Sequence, residues 1–154
     1  MNFEELNEKL GGNEKKANWS NHPNGGGWVH KSAKVDATAF VGPDAIVWGT
    51  VSDNAQVSGD ARVYGNAQVS GDARVSGDAR VSGDRWEVSP LFIIGTKHSL
   101  SNAKHGHLQI GCKCAPFKWW LSKEAVTFAK DNGYSAAQIK EYREYVRLFI
   151  KVGK

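Results

Sequence analysis

Between Val51 and Asp84 the chain repeats itself every six residues, as VSDNAQ VSGDAR VYGNAQ VSGDAR VSGDAR VSGD. Valine recurs at 51, 57, 63, 69, 75 and 81, and alanine follows four positions after each of the first five. Six residues are too few for a helical hairpin. Each unit has room for one short strand and one turn, so the units must stack as a solenoid. Valine is β-branched and suits a strand packed on a neighbour. The alanine fits a narrow interior, and the Gly-Asp, Gly-Asn and Asp-Asn pairs between them make the turns. Val29, Val35, Val41 and Val47 carry the period upstream, so the repeat runs from about Val29 to Asp84. It breaks once. Val47 and Val51 are four apart, through Trp48, Gly49 and Thr50, which predicts a unit two residues short or a bulge.

The 154 residues divide into three stretches. Residues 1–27 hold a short helix with Phe3, Leu6 and Leu10 on one face, stopped by Gly11-Gly12 and followed by the linker NHPNGGG. This segment is expected to cap an open end of the solenoid. Residues 28–85 are the repeat, with Trp28 and Trp48 as packing residues near its start. Residues 86–154 change composition. There 91–96 and 107–112 read as strands around a polar loop, KHSLSNAKHG. A helix follows from about Pro116 to Lys130, and a second is capped by Ser135 and carries Ile139, Tyr142, Val146 and Ile150 at helical spacing. The expected fold class is mainly β with α: a short parallel β-helix of about three coils, an N-terminal helix, and a C-terminal β-hairpin plus two-helix cap.

The formal charge of +4 is uneven. Residues 86–154 carry eleven Lys and Arg against five acids, which points to an anionic partner there. The polar loop and its borders concentrate the candidate ligand-binding residues: Lys97, His98, Ser99, Asn102, Lys104, His105 and His107. Lysines and hydroxyls suit phosphate or carboxylate. His105, His107, Cys112 and Cys114 are four N/S donors within ten residues, which admits a zinc site, although the spacing is not that of a familiar finger. The adjacent Trp119 and Trp120 diverge by about 100° on a helix, so one packs inward and the other can serve a contact or a stacking platform. In the repeat, Asp60, Arg62, Asp72, Arg74, Asp78 and Arg80 read as a solvated or intersubunit salt-bridge lattice. No apolar run approaches the ~20 residues that cross a bilayer, and the N-terminus lacks a signal-peptide centre. Two closely spaced cysteines fit a reducing compartment. The expectation is a cytoplasmic protein that does not engage a membrane.

The aliphatic residue at the first position and the small residue at the fifth resemble the hexapeptide repeat of left-handed parallel β-helices, the trimeric acyltransferase-like superfamily. One departure is visible: glycine stands at the third position here, where that family often has it at the second. The resemblance implies three units to a triangular coil of 18 residues and a homotrimer. It stacks Val57 over Val75, Val63 over Val81 and Arg62 over Arg80. The near-perfect VSGDAR run with a compact basic cap also looks like short phage- and prophage-encoded proteins, some of which inhibit bacterial immunity by sequestering nucleotides. The expected function is therefore a non-catalytic, homotrimeric binding protein in the host-cell cytoplasm, without cofactor. It would take a small anionic ligand such as a nucleotide, or a host protein, through the basic C-terminal module or the grooves between subunits. A hexapeptide acyltransferase is the alternative. The clear repeat run contains no histidine to act as its general base, and only His30 lies near its start. A structural or assembly protein is a further alternative.

Overall fold

The computed structural model describes residues 1–87 and 89–152. They form two compact units, Met1–Ser89 and Pro90–Lys154.

The first unit is the solenoid. Helix α1 (Phe3–Lys9) is followed by strand β1 (Trp19–Asn21) and then by eleven short strands. These are β2 (Trp28–His30), β3 (Lys34–Val35), β4 (Phe40–Val41), β5 (Ile46–Val47), β6 (Thr50–Val51), β7 (Gln56–Val57), β8 (Arg62–Val63), β9 (Gln68–Val69), β10 (Arg74–Val75), β11 (Arg80–Val81) and β12 (Arg85–Trp86). Every third strand pairs in parallel. One face is β2-β5-β8-β11, the second β3-β6-β9-β12, and the third β4-β7-β10. The fold is thus a parallel β-helix of about three coils with strands and helices following it. Val41, Val47, Val51, Val57, Val63, Val69, Val75 and Val81 are wholly buried, and so are the alanines between them. The interior is therefore valine and alanine alone over most of its length.

The coil is not uniform. Trp28 pairs with Ile46, Ile46 with Arg62 and Arg62 with Arg80, in steps of 18, 16 and 18 residues. The same short step takes Lys34 to Thr50 and Phe40 to Gln56. The four-residue interval from Val47 to Val51 therefore shortens one whole coil and does not bulge. At that corner the Trp48 and Gly49 amides both donate to the Val63 carbonyl, at 2.7 and 3.2 Å. A Cβ on Gly49 would stand 2.5 Å from the Ala67 oxygen, so no other residue fits this corner without backbone movement.

The third-position glycine has a conformational cause. Gly59, Gly65, Gly71 and Gly77 all sit at φ near +64°, in the left-handed region that glycine enters without penalty. Asp53 takes the same conformation at φ 58°, and its carboxylate accepts the Gly71 amide at 2.9 Å.

The N-terminal segment covers a side of the solenoid. Asn2 and Glu5 form a capping box that starts α1. Leu6 is wholly buried against Trp19, Trp28 and Ile46, which occupy outward positions of the first face. The end of the coil is closed differently from the helical cap expected. β1 pairs antiparallel with β2, and the linker completes β4: the Gly27 amide donates to the Val41 carbonyl and the Val41 amide to the Asn24 carbonyl. Two strand edges that would otherwise invite pairing with another chain are thereby used.

The second unit departs from the expected hairpin. It is a four-stranded antiparallel meander, β13 (Phe92–Ile94), β14 (Ser99–Lys104), β15 (His107–Ile110) and β16 (Lys113–Pro116). The stretch expected as a loop is an inner strand. It carries Leu100 to one face and buries Ser101 and Asn102, at 3% and 0% exposure. The polar residues are tolerated there because they are bonded: Asn102 Oδ1 accepts the Leu91 amide at 3.2 Å beside a β-bulge. The single helix expected over 116–130 is two, α2 (Phe117–Trp120) and α3 (Lys123–Asp131), because Ser122 caps the second through the Ala125 amide. Helix α4 (Ala136–Val152) starts at Ser135, whose hydroxyl and backbone exchange hydrogen bonds with Gln138. Its buried set is Tyr142, Val146 and Phe149, whereas Ile150 is 47% exposed. Trp120 joins the core and donates to the Leu108 carbonyl at 2.9 Å, while Trp119 stays half-buried against Phe128. Among the described residues no helix is long and apolar enough to cross a membrane.

Candidate functional site

On the first face of the solenoid, the residues beside each inward valine point outward in columns. One column holds Trp28, Ile46, Arg62 and Arg80. The next, two residues on, holds His30, Trp48, Tyr64 and Ser82, because the 16-residue step that sets Ile46 over Arg62 also sets Trp48 over Tyr64. The N-terminal segment covers the apolar upper part of the first column and stops at Arg62, where the Lys9 carbonyl accepts from the guanidinium at 3.5 Å. What remains is an open groove of about 490 Å³ lined by Ser32, Trp48, Arg62, Tyr64, Gly65 and Arg80.

Its electrostatics favour an anion. The Arg62 and Arg80 backbones are direct partners in adjacent parallel strands, about 4.8 Å apart. Burial, and then the Arg80 guanidinium, draw Arg62 below its ordinary pKa; Asp60 and Tyr64 act in the opposite sense. Asp60 itself is engaged by Lys9 at 2.5 Å. Of the other residues expected in a solvated or intersubunit charge lattice, Asp72, Arg74 and Asp78 make no ion pair within the chain among the described residues. Trp48 is held edge-on by Trp19, with ring centroids 4.6 Å apart, which fixes the aromatic wall. Sequence reasoning placed Arg62 over Arg80 but not the groove. The available signal was Tyr64, which replaces the serine of the repeat, read together with the shortened coil.

The residues expected to bind ligand in the C-terminal unit do not form one site. They lie along β14 and its two ends, and Ser99 and Lys104 are separated by roughly 17 Å of strand. At the first end, Lys97 Nζ donates to the Asn132 and Gly133 carbonyls at 2.8 and 2.7 Å, closing the C-terminus of α3, and lies 4.7 Å from the Tyr134 ring centre. The His98 ring packs on Tyr134. Ser99 is half-buried in the sheet and Asn102 is wholly buried. At the far end, Lys104, His105 and His107 surround a turn in which the His105 carbonyl meets His107 Nδ1 at 3.1 Å. Cys112 and Cys114 are both exposed free thiols; the partial desolvation that remains at Cys114 pushes its thiol up, against Lys104 and Lys113. No group of three or more His, Cys, Asp or Glu among the described residues could hold a metal, so the zinc set is not assembled.

The turn between β13 and β14 is clamped to α4. Tyr142 Oη accepts the Lys97 and His98 amides at 2.9 and 2.6 Å and donates to the His98 carbonyl at 2.7 Å. Tyr142→Phe should cost about 1–2 kcal/mol, measured by urea unfolding, because two partly buried amides lose their acceptor. Glu141 accepts from the Thr96 hydroxyl and amide at 2.6 and 3.1 Å, and the hydroxyl bond holds its carboxyl below the ordinary value. A depressed carboxyl contributes above its unfolded pKa, and the contribution is lost as pH falls through the folded value. The protection factor of the Thr96 amide, its exchange rate taken relative to the intrinsic rate at each pH, should therefore fall on acidification, and Glu141→Gln should remove that pH dependence.

Three overlapping stretches, residues 55–71, 67–83 and 73–88, match the YdcK beta solenoid repeat. No curated protein and no solved structure matches the chain. The matched stretches contain β7 to β12 and therefore Arg62 and Arg80, and with the pairing of every third strand they make this chain a β-helix repeat protein.

Proposed function

We propose that the protein is a non-catalytic binding protein whose solenoid groove takes a small anionic ligand with a flat aromatic part, a nucleotide being the class that fits. The observation that carries this reading is the in-register pair Arg62 and Arg80 beside the aromatic wall of Trp48 and Tyr64. Guanidinium groups bind phosphate through paired N–H donors, and a nucleobase stacks on an aromatic face. An anion also offsets the mutual repulsion and desolvation that Arg62 bears. Two arginines supply charge and orientation for holding an anion. This moves the seat of recognition from the basic C-terminal unit to the solenoid. In this reading the protein acts by sequestering its ligand, as the resemblance to short phage-encoded proteins implies, and does so as a homotrimer. Native mass measurement should give three times the chain mass.

Titration calorimetry with adenosine monophosphate and with a cyclic dinucleotide tests the reading. At least one should bind saturably, and adenosine without phosphate should not. Arg62→Gln and Arg80→Gln should each weaken binding by roughly tenfold to a hundredfold, the equivalent of about 1.5–3 kcal/mol for a bond to a charged group. Equal affinity in both variants, or no binding of either nucleotide, contradicts it.

A further inference from the structure

The C-terminal unit contains a second opening with different chemistry. Helices α3 and α4 each pack on α2, yet they meet each other only weakly. Packed helices ordinarily interdigitate at 8–10 Å between axes. Here the side chains of α3 that border the gap include the small Ala125 and Ala129, and an apolar cavity of about 40 Å³ remains, with Ile110 and Trp120 also in its wall. A second recess at the start of α3 shares Val126 and Arg143 with the cavity.

The charges around this opening have one sign. Arg143 and Lys123 are the charged residues that line the cavity and the recess, and no acid lines either. Arg143 is half-buried and makes no ion pair among the described residues. A guanidinium beside an apolar cavity is poorly solvated and gains from a carboxylate that matches its fork. Tyr134 lines the same cavity. Burial, then Tyr142 and Cys112, push its phenol up to about 12, so it remains a donor at neutral pH.

We propose that the cleft between α3 and α4 binds a small amphipathic carboxylate, its hydrocarbon end in the apolar cavity and its carboxylate on Arg143. The enclosed volume admits the end of a short chain and excludes a bulky ring system, so this ligand differs from the flat anion of the solenoid groove. Two separate binding sites on one chain follow.

Hexanoate is the probe, with hexanol and hexylamine as controls, titrated into the full-length protein and followed by amide NMR shifts. Hexanoate should give saturable shifts confined to α2, α3, α4, the turn between α3 and α4, and β15, and hexanol and hexylamine should bind at least tenfold more weakly. Arg143→Gln, at a half-buried site without an ion pair, should retain the fold and lose at least tenfold in hexanoate affinity. Ala129→Leu should fill the cavity and abolish binding while the unfolding midpoint is kept or raised. Arg62→Gln should leave hexanoate binding unchanged, which separates this site from the groove. Hexanol binding as tightly as hexanoate, hexanoate affinity retained in Arg143→Gln, or no saturable shift at all would overturn the proposal.

Discussion

Replacing Trp86 with alanine is expected to destabilise the solenoid by roughly 3–5 kcal/mol, the range for removing a buried large aromatic side chain. The register explains the size of the effect. Trp86 pairs with Val69 in the second face, below Val51 and Val35, so the indole takes the inward position that valine holds in every earlier coil. It is 2% exposed, and its Nε1 donates to the Gly83 carbonyl at 3.1 Å. A solenoid lacks a neighbour at each end, and a valine at the last level would leave the interior open. The indole fills that level beside Val69, which is wholly buried. Urea unfolding should show a lower midpoint with a nearly unchanged slope. Trp86→Phe should retain most of the packing and lose chiefly the hydrogen bond, about 1 kcal/mol. An alanine variant that unfolds within about 1 kcal/mol of the wild type would show that the indole is not what closes the core.

Gly49→Ala should be nearly as damaging, although it adds one methyl group. Overpacking costs about 1–3 kcal/mol and occasionally more. Here the upper end applies, because the obstacle is backbone. The new Cβ would stand 2.5 Å from the Ala67 oxygen and 3.0 Å from a methyl of Val63. Relief requires moving the carbonyl that accepts the Thr50 amide at 2.9 Å, which joins the short coil to the next. Gly42→Ala is the comparison. Its nearest neighbours, at 3.3–3.4 Å, are tight but include the yielding side chains of Ser58 and Phe40, so it should cost distinctly less. Thermal unfolding of the two variants side by side decides the matter. Equal midpoints would mean that the corner at residues 48–50 has another geometry.

How far the sequence could be read follows from what each residue must satisfy. The inward valines were legible because a narrow β interior accepts little else, and their spacing alone carries the fold. The break at Val47–Val51 was legible as a break. Its consequence was not, since it depends on which strands pair. With a uniform coil of 18, Ile46 would lie over Tyr64; the 16-residue step places Trp48 there and creates the aromatic wall. The side-on seat of α1 was written in Trp28 and Ile46, apolar residues at outward positions that later carry arginine. In the C-terminal unit, Ser99–Lys104 hid its strand because buried polar groups satisfied by hydrogen bonds leave no hydrophobic signature. For the same reason Lys97 and His98 read as ligand-binding residues, whereas Lys97 caps α3 and the amides of both are held by Tyr142.

The groove exists only because Arg62 stands directly below Ile46 and above Arg80. Disulfide trapping measures this, in a background of Cys112→Ser and Cys114→Ser that removes the two native thiols. Direct partners in neighbouring strands lie within the ~4.4–6.8 Å between Cα atoms that a disulfide spans. The pairs Ile46→Cys with Arg62→Cys, and Arg62→Cys with Arg80→Cys, should therefore close rapidly on mild oxidation. Ile46→Cys with Tyr64→Cys, the partners in a uniform 18-residue coil, should remain reduced. Rapid closure of the 46–64 pair with the 46–62 pair left open would contradict the short coil and dissolve the groove.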